Sequence, residues 1–200
     1  YNSVKKNMNK LVLKNNLSFV IKTSLLYCAL AAAFSFTGIF LPEKVPLENP
    51  LPGFTLYEVA GHFAWGIMFG LVTLSIRYCL IAGTFAVLID SDHLIGLFHI
   101  DALGRMSHSI LFGIVAIVVL MIIFGKKDYR LGTIAFGAVL SHVSFDIFDG
   151  DPSFPFLVPF YSKHISFANV SWLYFEVAAI VIVGIATIFY KKKISKVANN

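Results

Sequence analysis

The chain has 200 residues, of which 58% are hydrophobic and only 14% charged, with a formal net charge of +5. A water-soluble domain carries about a quarter charged residues, so this composition excludes one and predicts an integral membrane protein. The two cysteines, Cys28 and Cys79, both lie in apolar runs and read as small packed hydrophobes, not as a disulfide or metal pair.

Lys5, Lys6, Lys10 and Lys14 precede the first apolar run, and Lys191, Lys192, Lys193 and Lys196 follow the last. Basic clusters beside membrane spans act as cytoplasmic anchors, so both termini are expected inside and no nucleic-acid partner is expected. The first span covers 17–41, with Lys22 snorkelling to the inner surface. This run is longer than a signal-peptide core and reads as an uncleaved span. Pro42, Pro46, Pro50 and Pro52 then mark an irregular loop. It carries Glu43, Glu48 and Glu58 against Lys44 and belongs outside.

A single helix through 59–95 would be about 55 Å long, too long for a hydrocarbon core of about 30 Å. Two short spans are expected instead, 59–76 and 78–95, with Arg77 at the inner surface. With both ends basic, an even number of spans is required. A connector with Gly96, His99, Asp101 and Gly104 leads to a span over 108–124, which ends at Gly125-Lys126-Lys127. Residues 131–148 return outward. The segment 149–170, rich in Gly, Pro and aromatics, belongs at the outer interface, and 171–190 form the last span.

The expected fold is all-α, a polytopic membrane helical bundle of about six transmembrane helices. Residues 1–16 form a basic cytoplasmic segment, 17–190 one transmembrane domain and 191–200 a basic cytoplasmic tail. The expected location is the plasma (inner) membrane of a prokaryote.

This topology puts the ligand-type side chains on one side. His62, Asp90, Asp92, His93, His108, His142, Asp146 and Glu176 all fall in the outer half. An ionisable group at mid-membrane costs about 2.5–3.5 kcal/mol on insertion scales, so a gathering of them needs pairing, water or a metal. His142 and Asp146 are four apart on a helix and share one face. Histidine with carboxylate oxygen suits Zn²⁺, Mn²⁺ or Fe²⁺. Seven candidate ligands (His62, Asp90, Asp92, His93, His108, His142 and Asp146) leave room for one or two ions.

The ordered segments Gly61-His62, Ile89-Asp90-Ser91-Asp92-His93, Ser107-His108-Ser109, Gly137 through Ser141-His142 to Asp146, and Pro159-Phe160 resemble the motifs of a known family. It is that of the YdjM-type membrane-bound metal-dependent hydrolases of prokaryotes, also described as LexA-binding and inner membrane-associated. The resemblance spans 61–160, about half of the chain. It implies a metal centre and, through likeness to zinc-dependent phospholipase C and nucleases, helical architecture and phosphoester chemistry. The chain departs from the pattern where Ile89 stands for the usual proline, and where Leu103-Gly104, with Arg105 one residue later, replaces His-Arg.

Plainer readings stand beside these. His142 with Asp146 could tie helices together, and Asp90, Asp92 and His93 could form a helix cap and a solvated turn. Ser109 reads as back-bonding within its helix. Arg105 is an interfacial anchor or a phosphate ligand, and Glu176 a general base or a helix-pairing group. His99 and His164 read as surface residues, and the aromatic segment 154–161 as an interfacial belt or a lid. The expected function is metal-dependent hydrolysis of a phospholipid or lipid-linked phosphate at the outer interface. The metal would be zinc first, then manganese or iron, with Asp92 or Glu176 as base. The other classes are a transporter that binds a passing ion and a non-catalytic membrane scaffold.

Overall fold

The computed structural model describes residues 2–43, 55–125 and 128–198, with side chains from residue 12 to residue 196. Lys5, Lys6 and Lys10 as side chains, and Lys44, Pro46, Glu48, Pro50, Pro52, Lys126 and Lys127 altogether, lie outside the described residues.

The chain is helical with almost no strand. Its α-helices are α1 (Asn2–Ser35), α2 (Leu56–Gly70), α3 (Ile76–Leu88), α4 (Ile110–Phe124), α5 (Tyr129–Asp149) and α6 (Ser171–Ala198). Among the described residues, four stretches are long and apolar enough to cross a membrane: Val12–Phe40, Ile76–Phe98, Tyr129–Asp149 and Ser171–Lys196. One two-residue antiparallel pair, β1 (Ser153–Phe154) with β2 (Ile165–Ser166), clips the loop between α5 and α6.

The long apolar stretch divides where backbone chemistry, not charge, dictates. α2 opens on a capping box: the Thr55 hydroxyl accepts from the Glu58 N–H at 3.2 Å, and the Glu58 carboxylate accepts from the Thr55 N–H at 3.0 Å. α2 ends at Gly70 and passes through one 3-10 turn, Leu71–Thr73, into Leu74, whose φ is +54°. There Thr73 Oγ1 donates to the Gly70 carbonyl at 2.8 Å and accepts from the Ser75 N–H at 3.3 Å. The turn therefore lies at 71–75, not at Arg77, which sits in the first turn of α3. The Thr73 and Ser75 polar groups satisfy the backbone there, so no charge is needed to break the helix.

α2 and α3 then pack at very short range. Gly66 and Gly70, spaced as Gly-x-x-x-Gly, present bare backbone to Cys79, Ala82 and Gly83 of α3. α5 runs through the middle of the bundle and is buried along nearly its whole length. Tyr27 of α1 stacks on Phe85 of α3 at 4.1 Å, and its hydroxyl donates to the Ala135 carbonyl of α5 at 3.0 Å. These contacts, with Phe69, Phe112, Ile134 and Ala138, fill the mid-bundle core.

The two ends of the bundle differ in chemistry. The start of α2, the end of α3, the start of α4 and the end of α5 meet at one end. The opposite end is fastened by Asp128, which accepts from Tyr78 Oη at 2.7 Å, from Arg130 Nε at 2.9 Å and from an Arg130 terminal nitrogen at 2.8 Å. Arg130 also lies over the rings of Tyr190 (3.6 Å) and Tyr78 (4.6 Å), which ties α3, α5 and α6 together.

Burial acts to raise the Asp128 pKa. The hydrogen bonds from Arg130 and Tyr78 and the Arg130 charge outweigh it and hold the carboxyl below the ordinary aspartate value. With a depressed folded-state pKa, the unfolded chain takes up the proton first as the pH falls. The stabilisation is therefore whole at neutral pH and is lost as the pH drops from the ordinary aspartate range through the folded-state value. Asp128→Asn is expected to lower the thermal midpoint in detergent at pH 7 and to converge with wild type in acid. A gap of equal size at both pH values would contradict this.

Candidate metal centre

Five of the predicted ligands converge at the first end of the bundle. His62 projects from the N-terminal half of α2. Asp90 follows α3 at the start of a tight 3-10 segment, Ile89–Phe98, which Ser91 pins to α1 by donating to the Cys28 carbonyl at 3.0 Å. His108 closes the short turn Met106–His108 just before α4. The Ser109 hydroxyl caps that helix by accepting from the Phe112 N–H at 3.2 Å. His142 and Asp146 come from one face of α5, as their spacing predicts.

The carboxylates of Asp90 and Asp146 lie between two imidazole poles. Asp90 Oδ1 is 3.2 Å from His142 Nε2 and 3.8 Å from His108 Nε2, while its Oδ2 is 3.7 Å from His62 Nε2. Asp146 Oδ2 is 3.5 Å from His142 Nε2 and 3.6 Å from His108 Nε2, while its Oδ1 is 3.2 Å from His62 Nε2. The His62 and His142 rings stack with centroids 3.7 Å apart. Two groups of three residues have donor atoms close enough to hold an ion: His62, His142 and Asp146, and Asp90, His108 and His142.

The hydrogen bonds around the poles decide which ring atoms face inward. His142 Nδ1 is 2.7 Å from the Ala86 carbonyl oxygen, which only accepts, so Nδ1 carries the proton. His108 Nδ1 is 3.3 Å from Asp92 Oδ2, and the same reasoning applies. In the neutral rings both Nε2 atoms are then bare acceptors, and they face each other at 2.9 Å. Two imidazole lone pairs that face each other, with the Asp90 and Asp146 carboxylates beside them, repel unless something positive sits there. A proton on one ring would serve, and so would a metal ion. The donor set fits a divalent metal.

Asp92 stands behind the cluster. It is fully buried, and its Oδ2 accepts from Ser107 Oγ at 2.6 Å and the Ser107 N–H at 3.1 Å, besides facing His108 Nδ1. It belongs to neither ion-holding group and orients His108. His93 Nε2 lies 3.6 Å from Asp90 Oδ1 and 3.5 Å from Asp92 Oδ1, at the edge of the site. Glu176 is buried on α6 beside Ser141 and lines no part of the cavity.

The cavity over the cluster holds about 110 Å³ and is also lined by Glu58, Arg105, Asp149 and Asp151. Asp151 gives no signal in the sequence beyond its place in a Gly-Asp-Pro turn. Glu58 is legible as the partner in the capping box. Phe154 of β1 is fully buried and lies parallel to the His108 ring at 5.6 Å, so the aromatic loop forms a wall of the site. His164, expected at the surface, lies within electrostatic reach of the site. It is exposed, as expected, and partial desolvation, then the neighbouring Arg105 and His108, lower its pKa.

No protein-family model, curated protein or solved structure matches the chain. Fold and cluster together define a helical, apolar chain with helices able to cross a membrane. Its buried His/Asp group could hold a metal ion.

Proposed function

We propose that the chain is an integral membrane, metal-dependent hydrolase of the YdjM type, acting on a phosphoester at the outer membrane interface. The observation that carries the reading is the pair of three-residue donor groups that share His142: His62 with His142 and Asp146, and Asp90 with His108 and His142. The His108 and His142 imidazoles are each fixed from behind by an acceptor on Nδ1, which is how metal-binding histidines are held.

His62, Asp90, His108, His142 and Asp146 would hold one or two ions, zinc being the first choice for this donor set. Such an ion supplies Lewis acidity and a nucleophilic water at neutral pH. The chain's own part is to orient the two imidazoles through Asp92 and Ala86 and to wall the site with Phe154. Glu58, Asp149 and Asp151 are the carboxylates positioned to accept a proton in the cavity.

The topology that goes with this reading has six spans with both termini in the cytoplasm. α2, α3 and α4, of 15, 13 and 15 residues, are short; α3 is continued to Phe98 by the 3-10 segment, α2 packs on α3, and α4 packs on the longer α5. The basic residues Lys191, Lys192, Lys193 and Lys196 near the end of α6 and the Arg77–Arg130 end face inward, and the metal centre faces outward. A prokaryotic inner membrane is the location implied. The cavity of about 110 Å³ is far below the roughly 300–1,000 Å³ of pockets that enclose whole drug-sized ligands. It therefore takes only the reacting head of an amphiphilic substrate whose bulk stays in lipid. A transport route is disfavoured because Tyr27, Phe85, Phe69 and Phe112 pack the bundle directly behind the site.

The test is metal analysis of protein purified in detergent. Wild type is expected to retain about one to two divalent ions per chain, His142→Ala none, and hydrolysis of a phosphoester panel should stop on chelation. Equal, negligible metal in both proteins would sink the reading.

A further inference from the structure

Among the described residues that line the metal-site cavity, Arg105 is the only lysine or arginine, set among five carboxylates: Glu58, Asp90, Asp146, Asp149 and Asp151. Its backbone is left-handed, with φ +60°, in the segment that delivers His108. One terminal nitrogen contacts Asp146 Oδ2. The other is 2.6 Å from Asp151 Oδ2 and 3.4 Å from the Ser153 carbonyl oxygen. The guanidinium lies over the Phe154 ring at 4.5 Å, and its Nε is buried with no hydrogen-bond partner among the described residues.

This arrangement has a front and a back. Asp151, Ser153 and Phe154 hold the guanidinium from behind. In front, it shares Asp146 Oδ2 with His108 and His142, which lie 3.6 and 3.5 Å from that oxygen. A metal ion on Asp146 competes with Arg105 for the same oxygen. When the ion takes it, the anchored guanidinium stays in the cavity with a freed N–H edge beside the metal ligands. Without such a group, an anion entering this acidic cavity would meet repulsion away from the ions themselves.

We propose that Arg105 is the anion-recognition residue of this site: with Asp146 engaged by a metal ion, its guanidinium edge binds the oxygens of a phosphoryl group. The proposal rests on the metal-centre reading above. A planar fork with paired N–H donors matches a phosphoryl group, and lysine, a point charge, does not reproduce it. The small cavity fits the phosphoryl group itself, whether it is free phosphate or the headgroup of a lipid.

The experiment compares wild type, Arg105→Lys and Asp151→Asn, each zinc-loaded in detergent or nanodiscs. Metal content and thermal midpoint are recorded on the same samples. Binding of inorganic phosphate, and of phosphatidate in the nanodisc, is then measured. Arg105→Lys is expected to keep the metal and the thermal midpoint and to weaken phosphate binding roughly ten- to hundredfold. Asp151→Asn, which loosens the guanidinium plane but also removes one repelling carboxylate from the cavity, should weaken it by a smaller factor. An effect on inorganic phosphate alone supports the proposal and assigns soluble phosphate as the source; an effect on phosphatidate supports it and assigns the lipid headgroup. Unchanged affinity in Arg105→Lys overturns it. So does a metal-loaded wild type that binds neither probe, or that binds acetate as tightly as phosphate. Wild type without metal overturns the metal-centre reading first, and the metal analysis separates the two failures.

Discussion

Asp90→Ala is expected to abolish metal binding at the Asp90–His108–His142 group, whereas Asp92→Asn should lower affinity there only about ten- to hundredfold. The two carboxylates are two residues apart in sequence and belong to different layers of the site. Asp90 sends Oδ1 toward His142 and His108 and Oδ2 toward His62, so its removal takes the carboxylate from the Asp90–His108–His142 group. It would also leave His108 Nε2 and His142 Nε2 facing each other at 2.9 Å with one fewer negative charge to hold a cation between them. Asp92 touches only the back of His108 and the Ser107 hydroxyl and N–H. Asparagine there keeps an acceptor but loses the charge, and its amide group can turn toward His108 Nδ1 and favour the other tautomer. The loss is then one of orientation, partial and recoverable at high metal concentration. Metal titration of the two variants checks this. Equal losses, or full retention in Asp90→Ala, would show that the layers are assigned wrongly.

What could be seen of this site in the sequence follows from cost. An ionisable side chain in an apolar run is expensive, so His62, Asp90, His108, His142 and Asp146 stand out by residue type and position alone. Composition cannot say which way a carboxylate points. From one tight 3-10 segment Asp90 reaches His142 while Asp92 reaches Ser107 and the back of His108, and only the fold separates ligand from orienting residue. Glu176 stands out by the same rule, yet the rotation of α6 turns it to Ser141 and not to the cavity. Asp151 reaches the site because the α5 C-terminus closes on Gly150, with φ +104°, and the Asp151 N–H donates to the Asp146 carbonyl at 2.8 Å. Loop geometry of that kind leaves no periodic trace. The division of 59–95 was legible in principle. Thr55-x-x-Glu58, Gly66-x-x-x-Gly70 and Thr73-x-Ser75 mark a helix start, a close helix contact and a turn. The more conspicuous Arg77 lies two residues beyond that turn, because a charge marks the membrane surface and not the break in the backbone.

The close contact of α2 with α3 sets up the second large effect. Gly66→Ala is expected to destabilise the protein strongly, while Gly125→Ala, the same chemical change, should be nearly neutral. A Cβ on Gly66 would meet the Ala82 carbonyl oxygen at 2.5 Å and the Gly83 Cα at 2.6 Å. Both are backbone atoms and cannot rotate away, so the two helices must separate. At Gly125 a Cβ meets nothing within 4 Å, and its φ of −178° suits any residue. Alanine gains up to about 1 kcal/mol of helix propensity over glycine at an interior helical position. Overpacking a core costs about 1–3 kcal/mol, and more where the obstacle is backbone, so the clash at Gly66 exceeds the gain. The consequence reaches the site. His62 lies one turn before Gly66 on α2, and its Nε2 is 3.2 Å from Asp146 Oδ1. Separation of α2 from α3 draws His62 away from the carboxylates, while His108 and His142, carried by other elements, keep their places. Gly66→Ala is therefore expected to show a lowered thermal midpoint and to lose metal at the His62 pole before the His108–His142 pole. Thermal unfolding in detergent with stepwise metal titration checks both parts. A midpoint equal to that of Gly125→Ala would mean that α2 and α3 do not pack through Gly66.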